Sequence, residues 1–334
     1  MNGGKQSHPW TPSARYCVAG VLVTLPTVVA AAIWPQFIGI SWFFGMWASL
    51  YLMLKGDHLV VLAAKCLGVA VLGMGASLLH PYPFLGGLFV AVVAGAAACA
   101  IRWGTNSAYR IISIVVSLTV VAPAVQFHSL SRFTNTAWIG LMMVAGSLWT
   151  VLCWKLVLGG QIPNVKQRPA SRRTTASFAL VVGIAMGLTT WVILTWWPEY
   201  VAGWTMITVI VIIQADQTET LSLGEKRIAG TLVGLAIALL LSPIANYAIL
   251  ATAFGTLLFL YAYWWLIVAK RSYRVSVALL TSAVVILDSP PAHVDLIALD
   301  RLVFTLVGVA VALLSVGIIH WLIRNEPKSE IASS

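Results

Sequence analysis

The sequence predicts an all-α polytopic membrane protein of about twelve transmembrane helices. They form two parallel six-helix repeats about a pseudo-two-fold axis along the membrane normal. Three observations predict this. Of the 334 residues, 60% are hydrophobic and 9% charged, whereas soluble domains carry roughly a quarter charged residues, so there is too little polar surface to cover a water-soluble globule. Apolar runs of span length follow one another along the whole chain. Once these runs are read as helices, all but two of the twenty Lys and Arg residues fall on one side of the membrane.

In the first half the runs are 14–34, 37–54, 60–79, 84–101, 110–127 and 136–156. In the second they are 177–197, 200–215, 228–246, 248–268, 274–288 and 302–322. The runs at 37–54 and 200–215 are short. Trp34-Pro35, His80-Pro81-Tyr82-Pro83, Pro198-Glu199 and Asp288-Ser289-Pro290-Pro291 separate neighbouring spans, because proline ends a helix and restricts the residue before it. Pro26, Pro123 and Pro243 lie inside or near the ends of spans and mark kinks that a packed bundle tolerates. The N-terminus lacks the short apolar core and small-residue cleavage site of a signal peptide, so the first helix is expected to stay in the mature protein.

The basic side of the membrane is read as cytoplasmic, with both termini there. The two exceptions are Arg132 and Arg301. The domain reading is a first repeat over 1–156, a basic cytoplasmic linker over 157–176, and a second repeat with a short cytoplasmic tail over 177–334. The net charge of +10 is scattered singly between apolar runs. It is therefore a topology signal that also attracts anionic lipid or an anionic substrate, and no nucleic-acid partner is expected. Cys17, Cys66, Cys99 and Cys153 sit in apolar runs without CxxC or His spacing, which predicts small buried residues and no metal or cofactor.

The halves align without gaps at an offset of 162: Trp42 on Trp204, Lys65 on Arg227, Gly68 on Gly230. Further along, Tyr109-Arg110 matches Tyr273-Arg274, and Arg132, Gly140 and Trp154 match Arg301, Gly308 and Trp321. The shared order predicts duplication. Each repeat has an even number of spans, so both enter from the same side.

The strongest stretch is Trp204-Thr205-Met206-Ile207-Thr208, then Gln214-Ala215-Asp216-Gln217-Thr218, then Lys226-Arg227-Ile228-Ala229-Gly230-Thr231-Leu232-Val233-Gly234. It resembles the fusaric acid resistance (FUSC) and aromatic acid exporter family, and Asp300-Arg301, Thr305 and Gly308 fit that family's last span. The chain departs from the pattern in having only a short linker, and in Lys65, Val69 and Leu72 where the first repeat would carry Arg, Thr and Gly. The resemblance implies efflux of aromatic or other lipophilic organic acids across a bacterial inner membrane. It also implies a distant relation to plant aluminium-activated malate transporters and, as a partner, a periplasmic adaptor protein.

Each candidate residue has a functional and a plain reading. Lys65 and Arg227, at the starts of matching spans, form a carboxylate-recruiting pair if they face the axis, and snorkel to headgroups if they do not. Arg110 and Arg274 guide an anion or set topology, as does Arg15. Trp42 and Trp204 stack on an aromatic substrate or belong to the aromatic belt. Thr205, Thr208 and Gln214 offer hydrogen bonds along the same span, or the threonines bond their own backbone. Asp216 and His58 are candidates for a protonation-linked group. Arg132, Arg301 and Asp300 form a salt-bridged outer gate, or a structural pair at a helix start. The Gly183-x-x-x-Gly187 and Gly230-x-x-x-Gly234 spacings predict close helix contacts.

These residues favour a secondary exporter of organic anions, with an anion channel or uniporter as the alternative. The chain has no P-loop, and no nucleophile–base set at membrane depth, so an enzyme is not expected.

Overall fold

A computed structural model of the chain describes residues 12–33, 39–53, 58–121, 131–158, 169–197, 200–214, 217–269, 271–288 and 294–324. All regular structure among them is helical. In the first half the helices are α1 (Pro12–Ile33), α2 (Gly39–Leu52), α3 (Leu59–Leu79), α4 (Pro83–Ala98), α5 (Asn106–Val121) and α6 (Arg132–Leu158). In the second half they are α7 (Arg172–Trp196), α8 (Trp204–Ile212), α9 (Gln217–Leu240), α10 (Ala248–Tyr263), α11 (Tyr273–Asp288) and α12 (Val294–Arg324). Each apolar run therefore contains one helix.

Among the described residues, six helical segments are long and apolar enough to cross a membrane: Leu59–Leu79, Pro83–Trp103, Arg132–Val157, Thr174–Trp196, Ile249–Leu266 and Val294–Trp321. The chain is a multi-pass, all-α membrane protein.

Several helices begin before their apolar runs do. The α9 helix starts at Gln217 rather than 228, and α12 at Val294 rather than 302. Gln, Glu, Lys and Arg are good helix formers, and a hydropathy window registers only the part of a helix that suits hydrocarbon. The shift carries Glu219, Glu225 and Arg227 into α9, and Asp295, Asp300 and Arg301 into α12. The α7 helix also starts early, at Arg172, behind the cap Ser171, whose Oγ accepts from the Thr174 N–H at 3.1 Å. The expected linker thus shortens, and residues 159–168 lie outside the described residues.

Small residues set the packing. The α4 and α7 helices, one from each half, run against each other through Gly87, Ala91 and Gly95 on α4 and Gly183 and Gly187 on α7. A Cβ placed on Gly183 would lie 2.7 Å from the Ala91 carbonyl oxygen, and one on Gly187 would lie 2.8 Å from that of Gly87. In the same way Gly230 and Gly234 admit the backbone of α11, at the Arg274 and Ala278 carbonyls. Both expected glycine spacings are therefore close helix contacts, the packing that replaces hydrophobic drive inside lipid. Gly45 and Gly146 join α2 to α6, against the Met143 and Trp42 carbonyls, and Gly308 joins α12 to α8.

The helix contacts within each half include α2 with α6, α3 with α5 and α6, α4 with α5 and α1 with α6, then α8 with α12, α9 with α11 and α12, α10 with α11 and α7 with α12. Between the halves, α1 packs on α10 and α4 on α7. The α2 and α8 helices lie innermost: from Trp204 to Ile210 every α8 residue is buried. Cys66 and Cys153 are buried free thiols as expected, whereas Cys99 is partly exposed, and the side chain of Cys17 lies outside the described ones.

Gly183→Val is expected to destabilise the protein by about 1–3 kcal/mol through overpacking, seen as a lower thermal midpoint in detergent. Gly68 has nothing within 4 Å of an added Cβ, so Gly68→Ala is expected to leave the midpoint unchanged or raise it slightly.

Candidate functional site

The α8 helix has nine residues, a rise of about 14 Å, so it cannot cross a bilayer by itself. Its terminal backbone groups lie inside protein and need partners there. Arginines stand at both ends. At the start, the Arg301 guanidinium carbon lies 3.6 Å from the centroid of the Trp204 ring, and Arg301 is only 1% exposed. A desolvated cation over an indole face gains about 2 kcal/mol or more. Gly308 permits this approach of α12, and Thr205 Oγ1 donates to the Phe304 carbonyl at 3.2 Å.

At the other end, Arg110 of α5 reaches across from the first half. Its Nη1 donates to the Val211 carbonyl at 3.2 Å and its Nη2 to Gln214 Oε1 at 2.8 Å. The Gln214 backbone N–H donates to Thr220 Oγ1 at 3.0 Å, and Glu219 acts electrostatically on Arg110. Lys65 treats α2 similarly, with Nζ donating to the Leu52 carbonyl at 3.2 Å. Cations thus occupy the negative, C-terminal ends of both short central helices.

Arg227 of α9 is 2% exposed, and its Nε meets no acceptor. Tyr273, the first residue of α11, is partly exposed, and its buried hydroxyl meets no hydrogen-bond partner. The Tyr51 ring centroid lies 5.2 Å from that of Tyr263. Phe43, Trp47 and Tyr51 form one stripe on α2 that packs edge-on against Phe259 and Tyr263 of α10. Sequence reasoning missed this stripe, although its four-residue spacing was the available signal.

The other expected residues are dispersed. Arg274 is exposed and lies 3.7 Å from Glu225, a surface pair of small energetic weight. Arg15 Nε donates to the Val157 carbonyl at 3.1 Å, joining α1 to α6. Thr208 Oγ1 bonds its own helix at the Trp204 carbonyl. Trp42 is partly buried, and its indole nitrogen meets no acceptor. His58 is exposed at the start of α3, and Asp216 lies outside the described residues.

Arg132 and Arg301 are not brought into matching environments. Arg132 is exposed at the start of α6, 5.3 Å from the centre of the Tyr82 ring, whereas Arg301 is buried. Asp300 and Thr205 line a cleft of about 730 Å³ between α7 and α12. No cluster of three or more metal-ligating side chains occurs among the described residues.

These features define a multi-pass helical membrane protein with arginines buried among its central helices. Residues 184–315 match the family described as fusaric acid resistance protein-like, so the expected resemblance is found over most of the second half. That family points to membrane transport. No curated protein and no solved structure matches the chain. The matched stretch includes Trp204, Gln214, Arg227, Arg274 and Arg301. The first half, with Lys65 at the Arg position, lies outside it.

A buried cation is costly, and apolar replacement of buried charge is often neutral or stabilising. Arg301→Met is therefore expected to keep or raise the thermal midpoint. Trp204→Leu, which removes the ring beneath a retained cation, is expected to cost about 2 kcal/mol, seen as a lower midpoint.

Proposed function

We propose that the chain is an efflux transporter of a bacterial inner membrane for aromatic or other lipophilic organic anions. Its pathway runs between two six-helix repeats of a twelve-helix bundle. The observation that carries this reading is that Arg227 of α9 is buried and Arg110 of α5 reaches across from the first half to the end of α8. Two guanidinium groups, one from each half, thus lie inside a protein that spans lipid. Such charges are expensive unless they serve an anion or a structural carbonyl, and Arg227 Nε serves no carbonyl.

The recurring helix contacts support the repeat: α2–α6 is answered by α8–α12, α3–α5 by α9–α11, and α4–α7 by α10–α1. The distribution of Lys and Arg supports cytoplasmic termini. Asp216 and His58 are the proposed proton-linked groups, and a periplasmic adaptor is the proposed partner.

One observation favours an anion channel as the second reading. Among the described residues no fully buried carboxylate stands ready to couple protons: Glu219, Glu225 and Asp295 are exposed, and Asp300 is partly exposed.

Flux from proteoliposomes loaded with labelled aromatic carboxylates separates the two readings. Accumulation against the anion's gradient, abolished when the pH gradient is collapsed, is expected of a coupled exporter. Voltage-following downhill flux alone would favour the channel. In either case Arg227→Gln is expected to lower flux about tenfold or more at unchanged membrane insertion, and wild-type flux in that variant would remove Arg227 from the mechanism.

A further inference from the structure

We propose that the cleft between α7 and α12 is a binding site for a membrane phospholipid whose head carries a primary ammonium group, with Asp300 as its acceptor. This is a lipid site on the flank of the bundle. It requires only that the chain spans a bilayer, and it does not depend on which solute is transported.

The dimensions fit an acyl chain. Along α12 the lining runs from Asp300 to Ile318, a rise of roughly 27 Å, long enough to take the tails of one leaflet from the Asp300 end. The walls are half-exposed apolar side chains, among them Ile184 and Leu188 of α7 and Val307 and Leu314 of α12. Three lining hydroxyls are already used, since Thr189, Thr205 and Ser315 donate to the Ala185, Phe304 and Val311 carbonyls. Asp300, near one end, is the one ionisable group in the lining, and it makes no ion pair or hydrogen bond with a described residue. Arg301, its neighbour in sequence, is engaged by Trp204 of α8.

The other half shows that the cleft is a specific feature of this side. The equivalent junction between α1 and α6 is bridged: Trp149 Nε1 donates to the Leu22 carbonyl at 2.9 Å, Arg15 donates to the Val157 carbonyl, and Tyr16 lies 6.0 Å from Trp154. On the α7–α12 side the facing residues of α12 include Val307 and Val311, which line the cleft and leave it open.

The chemistry selects the head group. A carboxylate at the edge of an apolar cleft favours a cation that can also donate hydrogen bonds. A primary ammonium does both. A trimethylammonium has no N–H to give, and an uncharged glycerol head on an anionic phosphate is repelled. The tails supply the apolar contact, so a free amine without tails gains little.

The test is native mass spectrometry of the purified chain in mixed micelles. These contain equal amounts of ethanolamine-, choline- and glycerol-headed phospholipids with identical tails. The wild type is expected to retain the ethanolamine lipid about tenfold over the choline lipid, and Asp300→Asn to bring that ratio close to one. Val311→Trp and Leu314→Trp, which fill the cleft, are expected to reduce bound lipid of every class. Equal retention of the three lipids by the wild type overturns the proposal without any variant having to fold. So does an unchanged preference in a folded Asp300→Asn protein, or unchanged binding in both tryptophan variants.

Discussion

The constraint on which the rest depends is that short helices buried in a membrane protein end where no water can serve their backbone. The α8 helix stops after nine residues, and its carbonyls must find donors inside the bundle. Arg110 supplies them from the other half of the chain, and Lys65 does so for α2. These contacts bring cations to the centre. Once there, they need further company, and Gln214 provides it for Arg110. At the far end of α8, the Trp204 ring does the same for Arg301. Architecture and interior charge are thus one problem with one solution.

The same solution explains why the core is asymmetric. In the first half α2 carries the aromatic stripe Phe43, Trp47 and Tyr51. At the aligned positions α8 carries Thr205, Val209 and Ile213. One central helix presents rings, and the other presents a hydroxyl and β-branched side chains. Arg227 is buried while its aligned partner Lys65 is partly exposed, and Arg110 is engaged inside while Arg274 pairs at the surface. The charged interior therefore draws on both halves: Arg227 and Arg301 come from the second, over which the family match runs, and Arg110 from the first.

Much of the fold was legible because hydrophobic length is a strong signal: each apolar run holds one helix. The early starts of α9 and α12 were hidden because Glu, Lys and Arg hold a helix as well as apolar residues do, yet interrupt a hydropathy run. The glycine pairs on α7 and α9 were legible since spacing alone places them on one face. Internal alignment drew attention to Arg227 and Arg110. The burial of Arg301 was not legible, because Trp204, which shields it, is distant in sequence and was read on its own. The cleft beside α12 was hidden for a different reason. It depends on how Val307 and Val311 of α12 meet the face of α7, and only packing brings those residues together.

The seam between α4 and α7 has a mechanical consequence. Bulky side chains interlock like teeth and fix how far one helix stands along another. Gly87, Ala91, Gly95, Gly183 and Gly187 present almost bare backbone instead, so the seam has close adhesion but few teeth. The α7 residue Trp191, resting against Gly87, is a large stop on an otherwise smooth track. The height of α7 against α4 is consequently set by what lies on either side, with α5 touching both helices and α8 and α12 flanking α7. The tightest contact between the halves is also the one that does least to define their register.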